Sequence, residues 1–434
     1  MNKYRNLSEY LKYLFFSIYV FFLPVAKVAS IQSISIAAFI FLVVATEYKK
    51  WNLIDLAKIK KLLILFFVIL FLAYLSLFYS VDINETLKEA NKGIVKNVAI
   101  MIILFFYFKH LQYEKTKIYF CILFSVFFIH TIINIFTWIV VGCDLDYRTG
   151  GLLDGYINDG GGGERFGIWA TYAFGCAIAF FAFKNKSLAA VFLIFTIVSI
   201  ISNNTRATYV GVIVILIAVF FTFVYSNKIR MVSFAVIGLF AFAFYQTSHY
   251  VSTERYNLLL IPKYIELIKS SPKEMIRYKD MGLSESVPAR LAMWKSVLIY
   301  RINEPFMPTG YGRFLYGKTI RKLNSDQNIP FCDYSQVHNE FLGIFFSLGI
   351  FGLLAFIGIW ISYLKVGIQI AKSGDVFARV LGYFVFFGGL GFIASLFFGS
   401  FFGSSEAKLF YLTFGMALGI CYSKDFKNDE YSRA

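Results

Sequence analysis

The sequence predicts an all-α integral membrane protein with about twelve transmembrane helices and one large loop outside the membrane. The first observation is composition: of 434 residues, 58% are hydrophobic, 16% are charged and 52 are phenylalanine, which is more apolar surface than a soluble domain buries. The second is that apolar runs long enough to cross a bilayer recur along the chain. The third is that the charge of the connecting segments alternates.

The apolar runs place nine spans in residues 1–248, a long loop over 249–337, three spans in 338–421 and a tail over 422–434. The predicted spans are 11–28, 31–47, 62–80, 94–109, 118–142, 167–184, 187–203, 207–226, 231–248, 338–364, 377–398 and 405–421. The first run follows basic residues, as a signal peptide does. Because no small-residue cleavage site follows it and further spans come at once, we interpret it as the first helix.

The connections predict the orientation of the chain in the membrane. One set is rich in lysine, and the intervening set is neutral or acidic. The lysine-rich set contains Lys49, Lys50, Lys58, Lys60, Lys61, Lys109, Lys115, Lys117, Lys184, Lys186, Lys228, Lys365 and Lys372. By the positive-inside rule this set faces the cytoplasm, so both termini are cytoplasmic and the 249–337 loop is outside. The net charge of +16 then reflects contact with anionic membrane lipids and is no indication of nucleic acid binding.

The 249–337 loop is too long for a simple connection and too apolar to be disordered, so it is expected to fold against the membrane. Residues 261–268 and 289–300 have apolar side chains at helical spacing, which predicts interfacial helices. The loop carries thirteen Lys and Arg against eight Asp and Glu. This basic surface indicates a partner rich in phosphate, although for any single lysine a solvated position near lipid headgroups is the plainer interpretation.

Two arginines on the predicted outer side are candidates for binding that phosphate. Arg206 lies in Thr205-Arg206-Ala207-Thr208, directly between two spans, and Arg290 lies in the amphipathic 289–300 segment. The planar fork of guanidinium donates two parallel hydrogen bonds to a diphosphate. The alternatives are an arginine that snorkels at a span end and an exposed charge on a helix.

His338 is the candidate general base. It lies in Val337-His338-Asn339-Glu340-Phe341-Leu342, where the polar loop meets a span. Imidazole titrates near neutral pH and can take a proton from a sugar hydroxyl. The alternative is a histidine that caps the helix or lies at the interface.

No metal or other cofactor is expected. Asp144-Leu145-Asp146 has the spacing of a metal-dependent nucleotide-sugar site, but it falls in a predicted outer loop, where nucleotide sugars are not supplied. A lipid-diphosphate donor and a metal-free reaction are therefore favoured. Cys143 and Cys332 both fall in predicted outer loops, and whether they form a disulfide is left open.

The chain resembles the O-antigen ligase family of membrane enzymes. Three patches carry the resemblance: Thr205-Arg206-Ala207-Thr208; Ala289-Arg290-Leu291-Ala292-Met293-Trp294, with Pro305 and Gly310-Tyr311-Gly312 downstream; and Val337-His338-Asn339-Glu340-Phe341-Leu342, followed by Gly349 and Gly352. The last two patches also resemble the wider superfamily, which includes O-antigen polymerases and protein O-oligosaccharyltransferases. The patch around Arg206 favours a ligase.

The resemblance implies a GT-C-like, metal-independent, inverting transfer at the periplasmic face of the bacterial inner membrane. The implied donor is O-antigen on undecaprenyl diphosphate, and the implied acceptor is a sugar hydroxyl of lipid A–core. His338 matches the proposed base of the family, and Arg206 and Arg290 match its proposed pyrophosphate ligands. Further candidate site residues, in or near these patches or in the 143–166 region, are Arg165, Asn339, Glu340, Tyr311 and Arg313.

Three other functions remain open at this point. The nearest is an O-antigen polymerase, whose acceptor is another lipid-linked repeat, and another is a protein-glycosylating ligase. A transporter of polyprenol-linked glycan, from a different class, predicts charges that line a path through the spans. Few charges fall within the predicted spans, and the candidate residues lie on one side, which favours an enzyme.

Overall fold

The computed structural model is built from helices. It describes residues 2–143, 148–153, 162–183, 186–223, 238, 260–272, 274–281, 283, 285–323, 334–373, 375–399, 405–423 and 426, and no strand occurs among them. The α-helices are α1 (Asn2–Phe22), α2 (Ala29–Glu47), α3 (Lys60–Leu75), α4 (Ile83–Glu89), α5 (Lys96–His110), α6 (Tyr113–Val140), α7 (Gly162–Phe183), α8 (Lys186–Asn203), α9 (Arg206–Thr222), α10 (Ile261–Lys269), α11 (Ser286–Asn303), α12 (Tyr316–Leu323), α13 (Glu340–Ala371), α14 (Val376–Leu396) and α15 (Ser405–Cys421).

Within the described residues, seven helical segments are long and apolar enough to cross a membrane. They are Ala29–Lys50, Leu53–Phe78, Ile83–His110, Tyr113–Val140, Arg165–Phe183, Glu340–Ala371 and Val376–Leu396. The helices α8 and α9 are shorter apolar helices. The all-helical class is confirmed, and the apolar helices are those of an integral membrane protein. The count of twelve spans stays a prediction, and the predicted span 231–248 lies outside the described residues.

The centre of the bundle is held by close backbone contacts and by buried hydroxyl groups. A Cβ atom on Gly175 of α7 would lie 2.8 Å from the backbone nitrogen of Gly388 on α14, so these helices touch backbone to backbone. The Tyr363 hydroxyl of α13 lies 3.0 Å from that of Tyr172 on α7 and 2.9 Å from that of Thr413 on α15. Because lipid offers no partner to a buried hydroxyl, these bonds tie three helices together.

The helix α13 is broken near its start. Gly349 has φ 72° and ψ −169°, which interrupts the helical hydrogen bonds. The segment from Pro305 to Thr309 fills the break: the Ile350 amide donates to the Pro305 carbonyl at 2.9 Å, and the Thr309 amide donates to the Ser347 carbonyl at 2.9 Å. Backbone groups freed by the break are thereby satisfied without water.

Arg301 completes the closure of this break. Its side chain is 1% exposed, and its guanidinium donates to the carbonyls of Glu304 and Met307, each at 2.6 Å, and to that of Phe346. The Thr309 hydroxyl donates to the same Phe346 carbonyl at 2.6 Å. Burial lowers the pKa of Arg301 to about 10, which leaves it protonated at neutral pH.

The helix α11 and the start of α13 therefore form one packed body, which we call the α11–α13 unit (residues 286–303 and 337–348). A hydrophobic cluster joins its parts and also includes α12. The buried members are Ala289, Met293, Val297, Tyr316, Ile320, Val337 and Phe346. The Trp294 indole adds a hydrogen bond of 2.9 Å to the Val337 carbonyl. The two predicted interfacial helices correspond to α10 and α11.

Candidate active site

The turn between α8 and α9 is built from buried polar residues. Asn203, Asn204 and Thr205 are at most 4% exposed, and Asn204 has a φ of 45°. The Thr208 hydroxyl donates to the Asn203 side-chain oxygen at 3.0 Å. These side chains hold the turn, so that Arg206 becomes the first residue of α9. We call this end of the bundle the Arg206 end.

The same turn anchors residues 148–150. The Asn203 side-chain amide donates to the Thr149 carbonyl at 2.7 Å, and the Thr149 hydroxyl donates to the Ser202 carbonyl at 2.8 Å. These bonds bring Arg148 to the start of α9. The sequence analysis did not identify Arg148 as a site residue, because the bonds that place it join segments more than 50 residues apart.

Arg148, Arg206 and Arg290 line one cavity of about 430 Å³, which we call the arginine cavity. The other residues that line it are Thr205, Ala207, Ser286, Val287, Leu291, Trp294 and Phe398. None of these described lining residues is acidic, so the cavity concentrates positive charge. The start of α9 adds the partial positive charge of a helix N-terminus. The arrangement suits a ligand with two or more negative charges.

His338 lies just before α13 and outside the lining of the arginine cavity. The helix is capped by Asn339, whose side-chain oxygen accepts from the Leu342 amide at 3.0 Å, so His338 is not the capping residue. Its φ of 54° is uncommon for a residue with a side chain and costs on the order of 1 kcal/mol. Its neighbour Val337 is bonded to Trp294, which lines the cavity. Val337, the residue next to His338, therefore connects it to the cavity wall.

Tyr334 packs beside His338 and was not identified from the sequence. The two rings meet edge to face, with their centroids 6.2 Å apart. The Tyr334 hydroxyl donates to the Glu285 carboxylate at 2.8 Å, and burial raises the pKa of Tyr334 to about 12. The positive charge of Arg290 is close enough to oppose that rise in pKa. Tyr334 therefore stays protonated and connects His338 to the helix that carries Arg290.

A second, smaller cavity of about 50 Å³ lies next to Val337. Of the further candidates, Tyr311, Arg313 and Glu340 line it, together with Glu89 and Val337. The Tyr311 amide donates to the Ser76 hydroxyl at 2.9 Å, which fixes this loop to the end of α3. We call this the Glu340 cavity. Its lining carries two carboxylates and one arginine, whereas that of the arginine cavity carries three arginines.

Arg165 is not among the residues that line either cavity. Its Nε donates to the Glu406 carboxylate at 2.8 Å, and Glu406 is fully buried. Part of its charge is therefore neutralised by a residue of α15.

Two predictions fall partly or wholly outside the described residues. Cys143 is exposed with a free thiol, and Cys332 is among the residues that are not described. The pair Asp144 and Asp146 is not described either. In the part of the chain that is described, no three His, Cys, Asp or Glu side chains are grouped so that they could hold a metal ion.

A family model described as O-antigen ligase matches residues 189–357. The match covers 169 of the 434 residues, from α8 through the first part of α13. It includes Arg206, Arg290 and His338 and leaves out Arg148 and Arg165. A search of curated proteins gives no match. The family match confirms the resemblance to the O-antigen ligase family that the sequence shows.

Proposed function

We propose that the protein is an O-antigen ligase, which transfers O-antigen from undecaprenyl diphosphate to a sugar hydroxyl of lipid A–core. The main support for the proposal is the arginine cavity. It brings Arg206 and Arg290 together from segments 84 residues apart and adds Arg148 to them. Three guanidinium groups at one helix N-terminus are suited to a diphosphate, which carries the leaving-group charge in this reaction.

The proposed reaction is a single displacement at the anomeric carbon of the donor. The acceptor hydroxyl oxygen forms the new bond to that carbon as the bond to the diphosphate oxygen breaks, and the configuration inverts. His338 takes the proton from the attacking hydroxyl. The arginines stabilise negative charge as it develops on the diphosphate, and this interaction is stronger in the transition state than with bound donor. The reaction then requires no metal ion.

His338 is suited to serve as this base because it is attached to the α11–α13 unit. Trp294 and Tyr334 connect its neighbourhood to the helix that carries Arg290. Base and phosphate ligand are therefore held by one body. Glu340, Tyr311 and Arg313 in the Glu340 cavity are proposed to contact the glycan or the acceptor, since carboxylate and phenol groups bind sugar hydroxyls well.

The proposed location is the bacterial inner membrane, with a periplasmic site and cytoplasmic termini. It is supported by the alternating charge of the connections. A GT-C-like architecture with twelve spans is part of the same proposal. Arg206, Arg290 and His338 all belong to segments that the charge pattern puts on the outer side.

The decisive experiment is transfer by the purified protein without added metal. Lipid-linked O-antigen is supplied with either lipid A–core or a second lipid-linked repeat as acceptor. Product on lipid A–core supports the ligase, and longer lipid-linked chains would instead make the protein a polymerase. The family match alone does not separate these two. No product with either acceptor would favour the protein-glycosylating ligase or the transporter.

The roles of individual residues are tested by substitution. His338→Ala is expected to abolish transfer while donor binding is retained, because the base does not hold the diphosphate. Arg290→Ala is expected to weaken donor binding itself. Arg277→Ala is the matched control, since Arg277 is an exposed arginine of the same loop and lines neither cavity. Near-normal transfer by the His338 variant would refute its assignment as the base.

A further inference from the structure

Three lysines lie together at the Arg206 end, apart from the arginine cavity. Lys92 is in the π-helical segment Ala90–Val95, Lys96 begins α5, and Lys408 is in the first turn of α15. The register of α5 and α15 brings them together. Cβ atoms on Gly415 and Gly419 would lie 2.6 Å from the Met101 carbonyl and 2.8 Å from the Phe105 carbonyl. The helices therefore run in the same direction, and two turns earlier Lys408 lies beside residues 94–97.

Lys408 is held in place by a neutral side chain. Its Nζ donates to the side-chain oxygen of Gln32 at 2.6 Å. Gln32 is 5% exposed, and its own amide donates to the Phe22 carbonyl at 2.7 Å. Lys408 is half-buried. An ammonium group has three donors, and this contact satisfies one of them with an uncharged acceptor.

The three lysines have no carboxylate ion-pair partner among the described residues. Glu406, two residues before Lys408, is buried and paired with Arg165. Glu89 acts on Lys92 only over a longer distance than an ion pair. The charges of Lys92, Lys96 and Arg165 oppose the charge of Lys408, and Glu406 favours it. A half-buried ammonium group in such a setting is costly unless an anion joins it.

Exposed apolar side chains lie around these lysines, among exposed polar ones such as Asn84, Lys88 and Asn91. Lys92 and Lys96 are exposed, and so are Ile83, Leu87 and Val95 nearby, at 59%, 40% and 38%. This surface belongs to a segment long and apolar enough to cross a membrane. A ligand that places a phosphate on the lysines and acyl chains on the apolar side chains fits both parts of it.

We propose that Lys92, Lys96 and Lys408 bind the phosphate of an anionic lipid. The opposite side of the same segment faces the Glu340 cavity, because a Cβ atom on Gly93 would lie 3.9 Å from the Tyr311 hydroxyl. The proposed lipid site therefore lies next to the Glu340 cavity. Two lipids present this phosphate: a bulk phospholipid and, if the proposed function holds, the phosphorylated glycolipid acceptor.

Binding is tested with the purified full-length protein in detergent by native mass spectrometry. The probes are phosphatidic acid and phosphatidylglycerol, with zwitterionic phosphatidylcholine for comparison. The variant K92Q/K96Q/K408Q is expected to bind the anionic lipids about a hundredfold more weakly, at about fivefold for each lysine. The control K49Q/K60Q/K61Q removes the same charge from three exposed lysines of the α2–α3 connection and α3, which meet lipid headgroups only as separate surface charges, and it should weaken binding far less. Equal loss in both variants, or loss in neither, would overturn the proposal.

Two measurements separate lost binding from lost folding. K92R/K96R/K408R keeps the charge and should retain binding, and the melting temperature of each variant is recorded. If K92Q/K96Q/K408Q does not fold, K92Q/K96Q replaces it, because both of these lysines are exposed. That double variant should lose about 25-fold in affinity on the same scale. Unchanged affinity would exclude the site.

The source of the phosphate is determined by transfer kinetics. If the acceptor binds here, K92Q/K96Q raises KM for phosphorylated lipid A–core and leaves kcat unchanged, and a dephosphorylated acceptor shows no such difference. If bulk phospholipid binds here, KM for both acceptors stays the same while phospholipid binding falls. The mass spectrometry requires no transfer activity, so failure of the proposed function would not be mistaken for failure of the lipid site.

Discussion

Gly349→Ala tests whether the break in α13 positions the candidate base. Only glycine readily adopts the φ of 72° and ψ of −169° observed at this residue. The new methyl carbon would lie 2.8 Å from the Phe306 carbonyl oxygen and 2.9 Å from that of Pro305. Both atoms belong to the segment that fills the break, so neither can rotate away as a flexible side chain could.

The expected loss of stability has two causes, the strained backbone at residue 349 and the close contacts of the new methyl group. Placing alanine in a glycine-only region of φ and ψ costs on the order of 1–3 kcal/mol. Overpacking against fixed backbone atoms costs about 1–3 kcal/mol more. We expect Gly349→Ala to lower the free energy of unfolding by about 3 kcal/mol. At roughly 2 °C per kcal/mol, the melting temperature should fall by about 6 °C.

The assay is thermal unfolding of the purified protein in detergent, followed by the transfer reaction at a temperature where the variant is folded. Gly343→Ala is the matched control, because Gly343 lies in the same helix and a Cβ atom there would meet nothing within 4 Å. Alanine has the higher helix propensity, so this control should be unchanged or up to about 1 kcal/mol more stable. Equal stability of the two variants would refute the view that the break is fixed by its backbone contacts.

Four further predictions concern the same residues. Arg206→Lys should lose transfer nearly as completely as Arg206→Ala, since lysine cannot make the two-pronged contact, and full activity of the lysine variant would reduce Arg206 to a point charge. Arg148→Gln should raise the dissociation constant for lipid diphosphate by about tenfold or more, as measured by donor titration, because a charge-assisted hydrogen bond contributes about 1.5–3 kcal/mol. Thr309→Val should lower the free energy of unfolding in urea by about 1 kcal/mol, because Arg301 still donates to the Phe346 carbonyl. A loss of several kcal/mol would contradict the view that Arg301 and Thr309 share this carbonyl. Transfer should continue in EDTA, since the arginine cavity supplies the positive charge; a loss that a divalent ion restores would disprove the metal-free reaction.

The helices were predictable because each depends on a local pattern of apolar residues. The final predicted span, 405–421, has the bounds of α15, and 187–203 differs from α8 by one residue. The predicted helix ends were less accurate where amphipathic helical turns continue beyond the apolar run. The first run, predicted over 11–28, belongs to a helix that begins at Asn2 and ends at Phe22.

The break in α13 could not be predicted from hydropathy. The run around Gly349 is continuously apolar, and the interruption depends on Arg301 and Thr309, which are 40 or more residues away. Arg148 was missed for the same reason. Its place in the arginine cavity depends on bonds to the α8–α9 turn, and the local sequence gives no sign of them.

The arginine cavity was predictable in part. Arg206 and Arg290 were identified from their motifs and do line one cavity, but His338 lies beside that cavity and not in its wall. Of the polar residues next to Arg206, Thr205 lines the cavity, whereas Asn203 and Thr208 are bonded to each other and shape the turn.

The α11–α13 unit has a mechanical consequence. Arg290 and His338 belong to this body, while Arg206 and Arg148 are attached to the α8–α9 turn. A displacement of one body against the other widens or narrows the arginine cavity but leaves the spacing between Arg290 and His338 unchanged. His338 would therefore move together with Arg290 when the width of the cavity changes. In the proposed reaction, a movement that narrows the cavity around the donor would also bring the base toward it.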